Sequence, residues 1–172
     1  DLPASVTAQL RDLARRESVT LYMLLLAAFN VLLYRYTGEA DIAVGTPIAN
    51  RNLCELEELI GFFVNTLVMR ADLAGNPSFG EVLQRTRRIA LDAYDHQDLP
   101  FEKLIDELQP QRDLGRNPRF QVLFTLQNAS GTAPKLGDLA AERVQTTAHS
   151  ASKFDLSLTM TLQPDRLEGS FA

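Results

Sequence analysis

The chain has few of the residues that build covalent or metal-dependent sites. Its 172 residues include one cysteine, Cys54, and two histidines, His96 and His149. A single cysteine excludes an internal disulfide and is typical of a reducing compartment, so we expect a cytoplasmic location. Two distant histidines without a cysteine pair do not predict a zinc site. We therefore expect no metal to be bound.

Three further absences narrow the class of function. The net charge of -5 leaves no excess of basic residues, which argues against binding to nucleic acid or to an anionic membrane. The longest apolar run, Leu21 to Leu33, is shorter than the roughly 20 residues that span a bilayer. We interpret it as the central helix of a protein core. Neither a glycine-rich phosphate loop nor a Gly-x-Ser-x-Gly elbow is present.

Helical periodicity occurs in four stretches of the chain. With 45% hydrophobic residues, the composition fits one globular domain with a sizeable core. Ser5 is the expected N-cap of the first helix, Gly38 the C-terminal cap of the second, and Ser78 with Glu81 a capping box for the third. The four predicted helices are Ser5 to Arg16, Thr20 to Tyr36, Phe79 to about Tyr94, and Phe101 to Leu108.

Strand patterns lie between and after these helices. Asp41 to Thr46 predicts a short buried strand that Pro47 ends, because proline has no N–H to donate. Alternation predicts a strand at 120–127 and a hairpin formed by 153–162 and 167–171. Between them, 129–152 predicts a long excursion with a short edge strand near 142–147. The expected fold class is α/β, with a mixed sheet covered by helices on one side.

One apolar run, Ile60 to Arg70, predicts a buried strand that begins after Gly61 and carries a single amide, Asn65. Burying an amide without partners costs about 1–3 kcal/mol. Asn65 therefore either ties the strand end to a neighbouring loop or lines a cavity.

Several segments, in order, resemble the condensation domains of nonribosomal peptide synthetases. Gly61 to Thr66 followed by Arg70 resembles the fifth core motif of that family, and Asp41 to Arg51 resembles the stretch before it. His96 to Glu102 resembles the sixth motif, and Arg112 to Pro118 with Phe120 the seventh. Lys153 to Leu156 matches a recurrent late element. These matches extend over essentially the whole chain.

The resemblance implies a chloramphenicol acetyltransferase-like fold with two subdomains in a V. It implies an acyltransferase of antibiotic biosynthesis that joins an upstream acyl or peptidyl thioester to a downstream aminoacyl amine. The implied partners are an N-terminal condensation subdomain, acyl or peptidyl carrier domains and an adjacent adenylation domain. Phosphopantetheine is carried by the carrier domains, so no cofactor is expected to bind this chain directly.

The family's catalytic signature, His-His-x-x-x-Asp-Gly, is absent from the sequence. In the family it belongs to the N-terminal subdomain. Residues 1–172 therefore resemble only the C-terminal subdomain, truncated inside its last hairpin, and no catalytic residue is expected here. The Phe62 to Thr66 form favours peptide-bond formation over epimerisation or cyclisation.

Asn65 is the residue that we expect to face the substrate tunnel, so that Asn65→Ala in the intact domain lowers turnover more than stability. The resemblance gives the other motif residues structural roles: Arg70 and Arg116 as ion-pair or carbonyl partners, and Asp98, Pro100 and Glu102 as a helix cap and loop brace. The remaining structural motif positions are Gly61, Phe63, Thr66, His96, Gln97, Phe101, Arg112, Asp113, Asn117 and Pro118.

Two alternatives remain open. The chain is a non-catalytic scaffold or docking module for carrier or neighbouring synthetase domains, or it is a degenerate acyltransferase with a base at His96 beside Asp98.

Overall fold

The computed structural model describes residues 1–108, 120–128, 153–164 and 166–172. The whole predicted excursion at 129–152, with its edge strand near 142–147, lies outside these residues. The helices are α1 (Ala4–Arg16), α2 (Leu21–Thr37), α3 (Phe79–Asp95) and α4 (Phe101–Leu108), with a 3-10 turn at Cys54–Leu56. The strands are β1 (Asp41–Ile48), β2 (Asn65–Asp72), β3 (Val122–Asn128), β4 (Leu156–Leu162) and β5 (Leu167–Phe171).

The five strands form one mixed sheet in the order β2-β1-β3-β4-β5. The three central strands, β1, β3 and β4, run parallel, and each outer strand is antiparallel to its neighbour. The predicted hairpin at the end of the chain is β4 with β5, which confirms that expectation. The sheet with its helices agrees with the expected α/β class.

One face of the sheet, which we call the core face, is packed under the helices. Alternate residues of the strands point to it and are nearly inaccessible, including Val44, Met69 and Phe124. Helix α2 is buried almost all round, as its unbroken apolar run predicts. In the described part of the chain no single helix is long and apolar enough to cross a bilayer, although α1 and α2 pass that test as a pair bent by 103°.

Local capping signals account for most helix ends. Ser78 and Glu81 form the predicted capping box of α3, and Gly38 adopts a left-handed φ of 76° at the end of α2. The prediction for Ser5 was wrong. Because α1 already begins at Ala4, Ser5 lies inside the helix, and the N-cap position is taken by Pro3 without a side-chain hydrogen bond.

Two predicted strand boundaries were also wrong. Strand β1 continues through Pro47 to Ile48, paired with Thr66 and Asn65. An antiparallel ladder uses the hydrogen bonds of alternate residues, so a proline at a position that does not donate is tolerated. Strand β2 begins only at Asn65, and residues after Gly61 that the sequence predicted as buried are exposed, Phe62 at 90% and Val64 at 50%.

The other face of the sheet is covered near β1 by an aromatic cluster. The ring of Phe120 is buried, stacks on Phe154 at 5.3 Å between centroids, and lies tilted against Phe101 at 5.6 Å. It occupies the space beside Gly45, where any Cβ would overlap the ring. A glycine is therefore required at that position of β1 for Phe120 to pack on the strand.

Candidate functional site

The candidate site lies at the edge of the sheet where the parallel strands end. Ile48, the last residue of β1, is paired with Asn65, the first of β2. Open α/β sheets commonly bind ligands outside the carboxyl ends of their parallel strands. Residues 49–64 connect β1 to β2 at this edge, and residues 96–100, which connect α3 to α4, lie against the start of β2 through Asn65.

The side chain of Asn65 joins β2 to that second connection. Its Nδ2 donates to the carbonyl oxygens of Gln97 at 2.9 Å and Leu99 at 2.8 Å. Its Oδ1 accepts from the backbone N–H of Phe101 at 3.0 Å and of Thr66 at 2.9 Å. An amide has two donors and two acceptor lone pairs, so these four bonds use its full capacity. With 9% exposure, the residue is buried and satisfied by backbone.

The sixth-motif segment is shaped by backbone bonds as well. His96 ends α3, and its Nδ1 lies 2.8 Å from the carbonyl oxygen of Asp92. A carbonyl only accepts, so Nδ1 carries the proton of this bond. Pro100 precedes α4, and its carbonyl accepts from Lys103 and Leu104. His96 is exposed, so nothing in this arrangement excludes water from its ring.

A further hydrogen bond joins the β1–β2 connection to the α3–α4 connection at this edge. Asn52 Nδ2 donates to Asp98 Oδ1 at 3.1 Å. The exposed Asp98 therefore ties the α3–α4 connection to the β1–β2 connection. The buried Asn65 ties the same α3–α4 connection to the start of β2. Both bonds join residues more than 30 positions apart, so the corner forms only when the sheet and α3 have packed.

Arg51 organises the β1–β2 connection. One of its guanidinium nitrogens donates to the carbonyl oxygen of Leu59 at 2.9 Å and also to that of Leu56. The guanidinium carbon lies 4.3 Å from the ring centroid of Phe63, within cation–π range. A Cβ on Gly61 would approach the same ring to 2.9 Å. No sequence pattern predicts this role of Arg51, because its partners are mainly backbone carbonyls.

The outer surface of this corner is apolar. Leu59, Ile60, Phe62 and Val64 are all at least half exposed, although Arg51 and Asn65 fix the backbone on both sides of them. We call these four residues the apolar rim. Contiguous exposed apolar side chains on an ordered loop are typical of a protein interface or a ligand-binding edge.

The remaining site predictions lie in three places. Arg70 forms a bidentate pair with Asp41, at 2.8 and 2.6 Å, on the exposed edge of the sheet. Hydrogen bonding from Arg70 lowers the pKa of the Asp41 carboxyl below its usual range. Thr66 is half-buried beside Asn65. The seventh-motif residues Arg112, Asp113, Arg116, Asn117 and Pro118 lie outside the described residues.

Groups suited to catalysis are sparse. Within the described residues, no cluster of three or more histidine, cysteine or acidic side chains is placed to hold a metal ion. Cys54 is a free and exposed thiol. Burial raises the pKa of the Tyr22 hydroxyl above its ordinary range. That hydroxyl lies 2.7 Å from Thr46 Oγ1, which itself donates to the carbonyl of Phe124, so Tyr22 braces α2 against the sheet.

Comparison with known proteins identifies the family. The family model described as "Condensation domain" matches residues 1–172. The chain belongs to the condensation-domain family. This condensation-domain chain is 52% identical to a linear gramicidin synthase of Brevibacillus parabrevis over 165 residues, which are 95% of the chain and 3% of that relative. It thus spans only a small part of the length of the curated relatives it matches. Several of them are such peptide synthases, so a role in antibiotic or other secondary metabolism fits.

Solved structures share the fold of this condensation-domain chain. The X-domain from teicoplanin biosynthesis, solved in complex with OxyB, superposes with a TM-score of 0.81 at 29% identity, over 99% of this chain and 37% of that one. The four-domain nonribosomal peptide synthetase AB3403 superposes with a TM-score of 0.86 at 24% identity, over 99% of this chain and 14% of that one, which supports the fold alone. The expected chloramphenicol acetyltransferase-like α/β class is thereby confirmed.

Proposed function

We propose that this chain is the C-terminal half of a peptide-bond-forming condensation domain of nonribosomal peptide synthesis. The observation that carries the proposal is that the whole chain matches the family although the catalytic signature is absent from its sequence. The chain supplies one wall of the substrate tunnel, and the N-terminal half supplies the base. By itself the chain is inactive.

In the proposed reaction, the amine nitrogen of the carrier-bound acceptor attacks the carbonyl carbon of the carrier-bound donor thioester. A C–N bond forms and the C–S bond breaks. The base takes the amine proton and passes it to the departing sulfur, so that the donor carrier's phosphopantetheine leaves as a thiol. The partners are therefore the N-terminal subdomain and two carrier domains, with an adenylation domain that loads the acceptor. No step requires a titratable side chain of this chain.

Asn65 contributes to the tunnel wall through the loop that it holds. Its amide is saturated by Gln97, Leu99, Phe101 and Thr66, so a substrate would bind it only by displacing one of these bonds. The proposed role is to fix the position of residues 97–101 at the end of the parallel strands. The apolar rim beside it is the surface on which the N-terminal half packs.

A single-turnover assay with loaded donor and acceptor carriers tests the proposal. We expect no product from this chain alone and product when the N-terminal half is added separately. Ile60→Ser with Phe62→Ser should weaken that complementation, whereas Tyr36→Ser, at an 85% exposed position at the end of α2, should leave it unchanged. Product from this chain alone, abolished by His96→Ala, would overturn the proposal in favour of a base at His96.

A docking module is the second candidate. The complex of the related X-domain with OxyB is the observation that favours it, because a similar fold there associates with another protein. This candidate predicts saturable binding of a carrier domain to the chain by calorimetry without any condensation when the N-terminal half is present. Absence of binding would count against it.

A further inference from the structure

The face of the sheet opposite the core face carries a strip of hydroxyl groups. Gly45 and its partner Leu123 lie on this face. Because side chains alternate along a strand, Thr125 on β3 lies there too, with Ser157 and Thr159 opposite Leu123 and Thr125 on β4. The register continues to Gln127 opposite Thr161. We call Thr125, Ser157, Thr159 and Thr161 the hydroxyl strip.

The hydroxyl strip does not have the composition of a water-facing surface. Its four residues are half-buried, and the two parallel strands carry no charged side chain on this face between Leu123 and Thr161. Faces of parallel strands are usually covered. Among the described residues, Glu168 lies directly opposite Thr161 and is paired with Arg166, and Arg70 is paired with Asp41 at the far edge of the sheet. The hydroxyls carry no charge and these neighbouring charges are paired with each other, so the strip complements a neutral, polar ligand better than a charged one.

The hydroxyls of the strip are available for a ligand. Within the residues that the structure describes, none of the four forms a side-chain hydrogen bond. Thr46, by contrast, lies on the core face and is bonded to both Tyr22 and Phe124. A threonine or serine hydroxyl both donates and accepts, so it can meet either the C=O or the N–H of an amide.

The spacing of the strip matches an extended peptide. Ser157, Thr159 and Thr161 lie on one strand at intervals of two residues, about 6.8 Å apart. An extended peptide repeats the groups on one of its sides at the same interval of about 6.8 Å. A pantetheine arm has no such repeat, because its amides are separated by a different number of bonds.

The strip leads to the candidate site. Thr46 bonds to the carbonyl of Phe124, so the ends of β1 and β3 lie at the same height of the sheet, and Asn65 is paired with the last residue of β1. A chain lying along β4 towards its carboxyl end therefore approaches the edge that Asn65 and residues 97–101 form. If the chain has the proposed function, the donor thioester reacts at that edge.

We propose that the hydroxyl strip binds the extended backbone of the carrier-bound peptidyl donor. Thr159 and Thr161 are the specificity-determining residues of this site, and Thr125 bonds to the same chain from the neighbouring strand. The inference rests on the proposed function and adds to it a preference for peptidyl over short acyl donors.

The test uses the condensation domain with both halves present and the isosteric variants Thr159→Val and Thr161→Val. The donors are a tripeptidyl-pantetheine thioester, the same donor with both internal amides replaced by esters, and acetyl-pantetheine. We expect each variant to raise the KM of the tripeptidyl donor about three- to tenfold, as loss of one neutral hydrogen bond predicts. Acetyl-pantetheine should be affected less than twofold, about the level of no effect, because it has no peptide backbone to bond. The ester donor keeps the carbonyl acceptors but lacks the N–H donors, so it should lose only the part of the penalty that comes from the N–H groups.

Thr37→Val is the matched control, since Thr37 ends α2 and, among the described residues, its hydroxyl bonds only to Leu33 and Glu39. It should leave all three donors unchanged. A smaller penalty for the ester donor would assign the hydroxyls to the amide N–H groups, and an equal penalty would assign them to the carbonyls, which an ester keeps. An unchanged KM for the tripeptidyl donor in both variants would overturn the proposal. A penalty with acetyl-pantetheine would overturn it too, because the pantetheine arm would then occupy the strip.

Binding separates this inference from the proposed function. An unreactive thioether analogue of the tripeptidyl donor binds without condensation, and calorimetry gives its Kd for each variant. Weaker binding by Thr159→Val in a domain that forms no amide would uphold the strip and reject the proposed function. If the unchanged domain condenses normally and the variants bind the analogue as tightly as it does, the proposed function is upheld and the strip is rejected.

Discussion

Asn65 and Asn30 are both buried asparagines, but their surroundings differ. Asn65, at the start of β2, has four backbone partners from two segments of the chain. Asn30, in the middle of α2, is 1% exposed, and its Oδ1 has no partner among the described residues. A satisfied buried amide fixes a geometry, whereas an unsatisfied one costs free energy. The difference indicates that Asn65 fixes the backbone geometry where residues 97–101 meet the start of β2.

Replacing Asn65 should have the largest effect. In Asn65→Ala, the carbonyls of Gln97 and Leu99 and the N–H of Phe101 lose their partner together. We expect the free energy of unfolding to fall by about 2–4 kcal/mol, measured by urea denaturation of the condensation domain. This expectation reverses the one drawn from the sequence, in which turnover falls more than stability. Unchanged stability with lost turnover would restore the direct tunnel role.

Arg51 sharpens the comparison within the same corner. Arg51→Ala removes two bonds to carbonyls and the contact with Phe63, and we expect a loss of about 1–2 kcal/mol because the site is partly open to water. Limited proteolysis should then cut residues 56–63 faster. Arg51→Lys keeps the charge but lacks the planar fork, so it should recover only part of the loss. Full recovery by lysine would show that charge alone suffices.

Asn30 is the opposite case. Asn30→Leu has a similar volume and removes a buried polar atom without a described partner, so we expect stability to be unchanged or to rise by about 1 kcal/mol. Thermal denaturation with Asn30→Ala as the cavity-forming control measures this. A loss as large as that of Asn65→Ala would mean that Asn30 also holds a required geometry.

The exposed pair of Asp41 and Arg70 should have the smallest effect, since water competes for both charges. Asp41 has a lowered pKa in the folded protein, so its stabilisation is present above the usual aspartate pKa of about 3.9 and is lost as pH falls through the folded value. The advantage of the unchanged chain over Asp41→Asn in urea midpoint should therefore shrink below about pH 4. An advantage that stays constant through the acid range would contradict the pairing.

Sequence patterns predicted the parts of the fold that depend on neighbouring residues. The capping box of Ser78 and Glu81 and the left-handed Gly38 depend on contacts within one helical turn, and both were predicted correctly. Three of the four partners of Asn65 could not be predicted, because they lie 32 to 36 positions away and are backbone groups. The apolar run shows that its one amide needs partners, but it does not identify them.

The wrong prediction for Phe62 and Val64 has a related cause. An apolar run indicates that side chains avoid water, and both a core strand and an interface satisfy that requirement. The run is a core strand if residues of this chain cover it, and an interface if another subdomain or protein covers it. The run itself does not distinguish these two cases. The prediction for Pro47 was wrong for a simpler reason. A proline ends a strand only at a position where the backbone N–H would donate to the neighbouring strand, and the sequence does not show which positions those are.

The packing of Phe120 against Gly45 constrains how this family member can change over evolutionary time. An alanine at position 45 is unfit while phenylalanine stands at 120, and a smaller residue at 120 leaves a void between Phe101 and Phe154. Each single substitution should therefore destabilise the fold, whereas a larger residue at 45 together with a smaller one at 120 keeps the packed volume nearly constant. The two positions should drift together among descendants of this chain, as a linked pair rather than as independent sites.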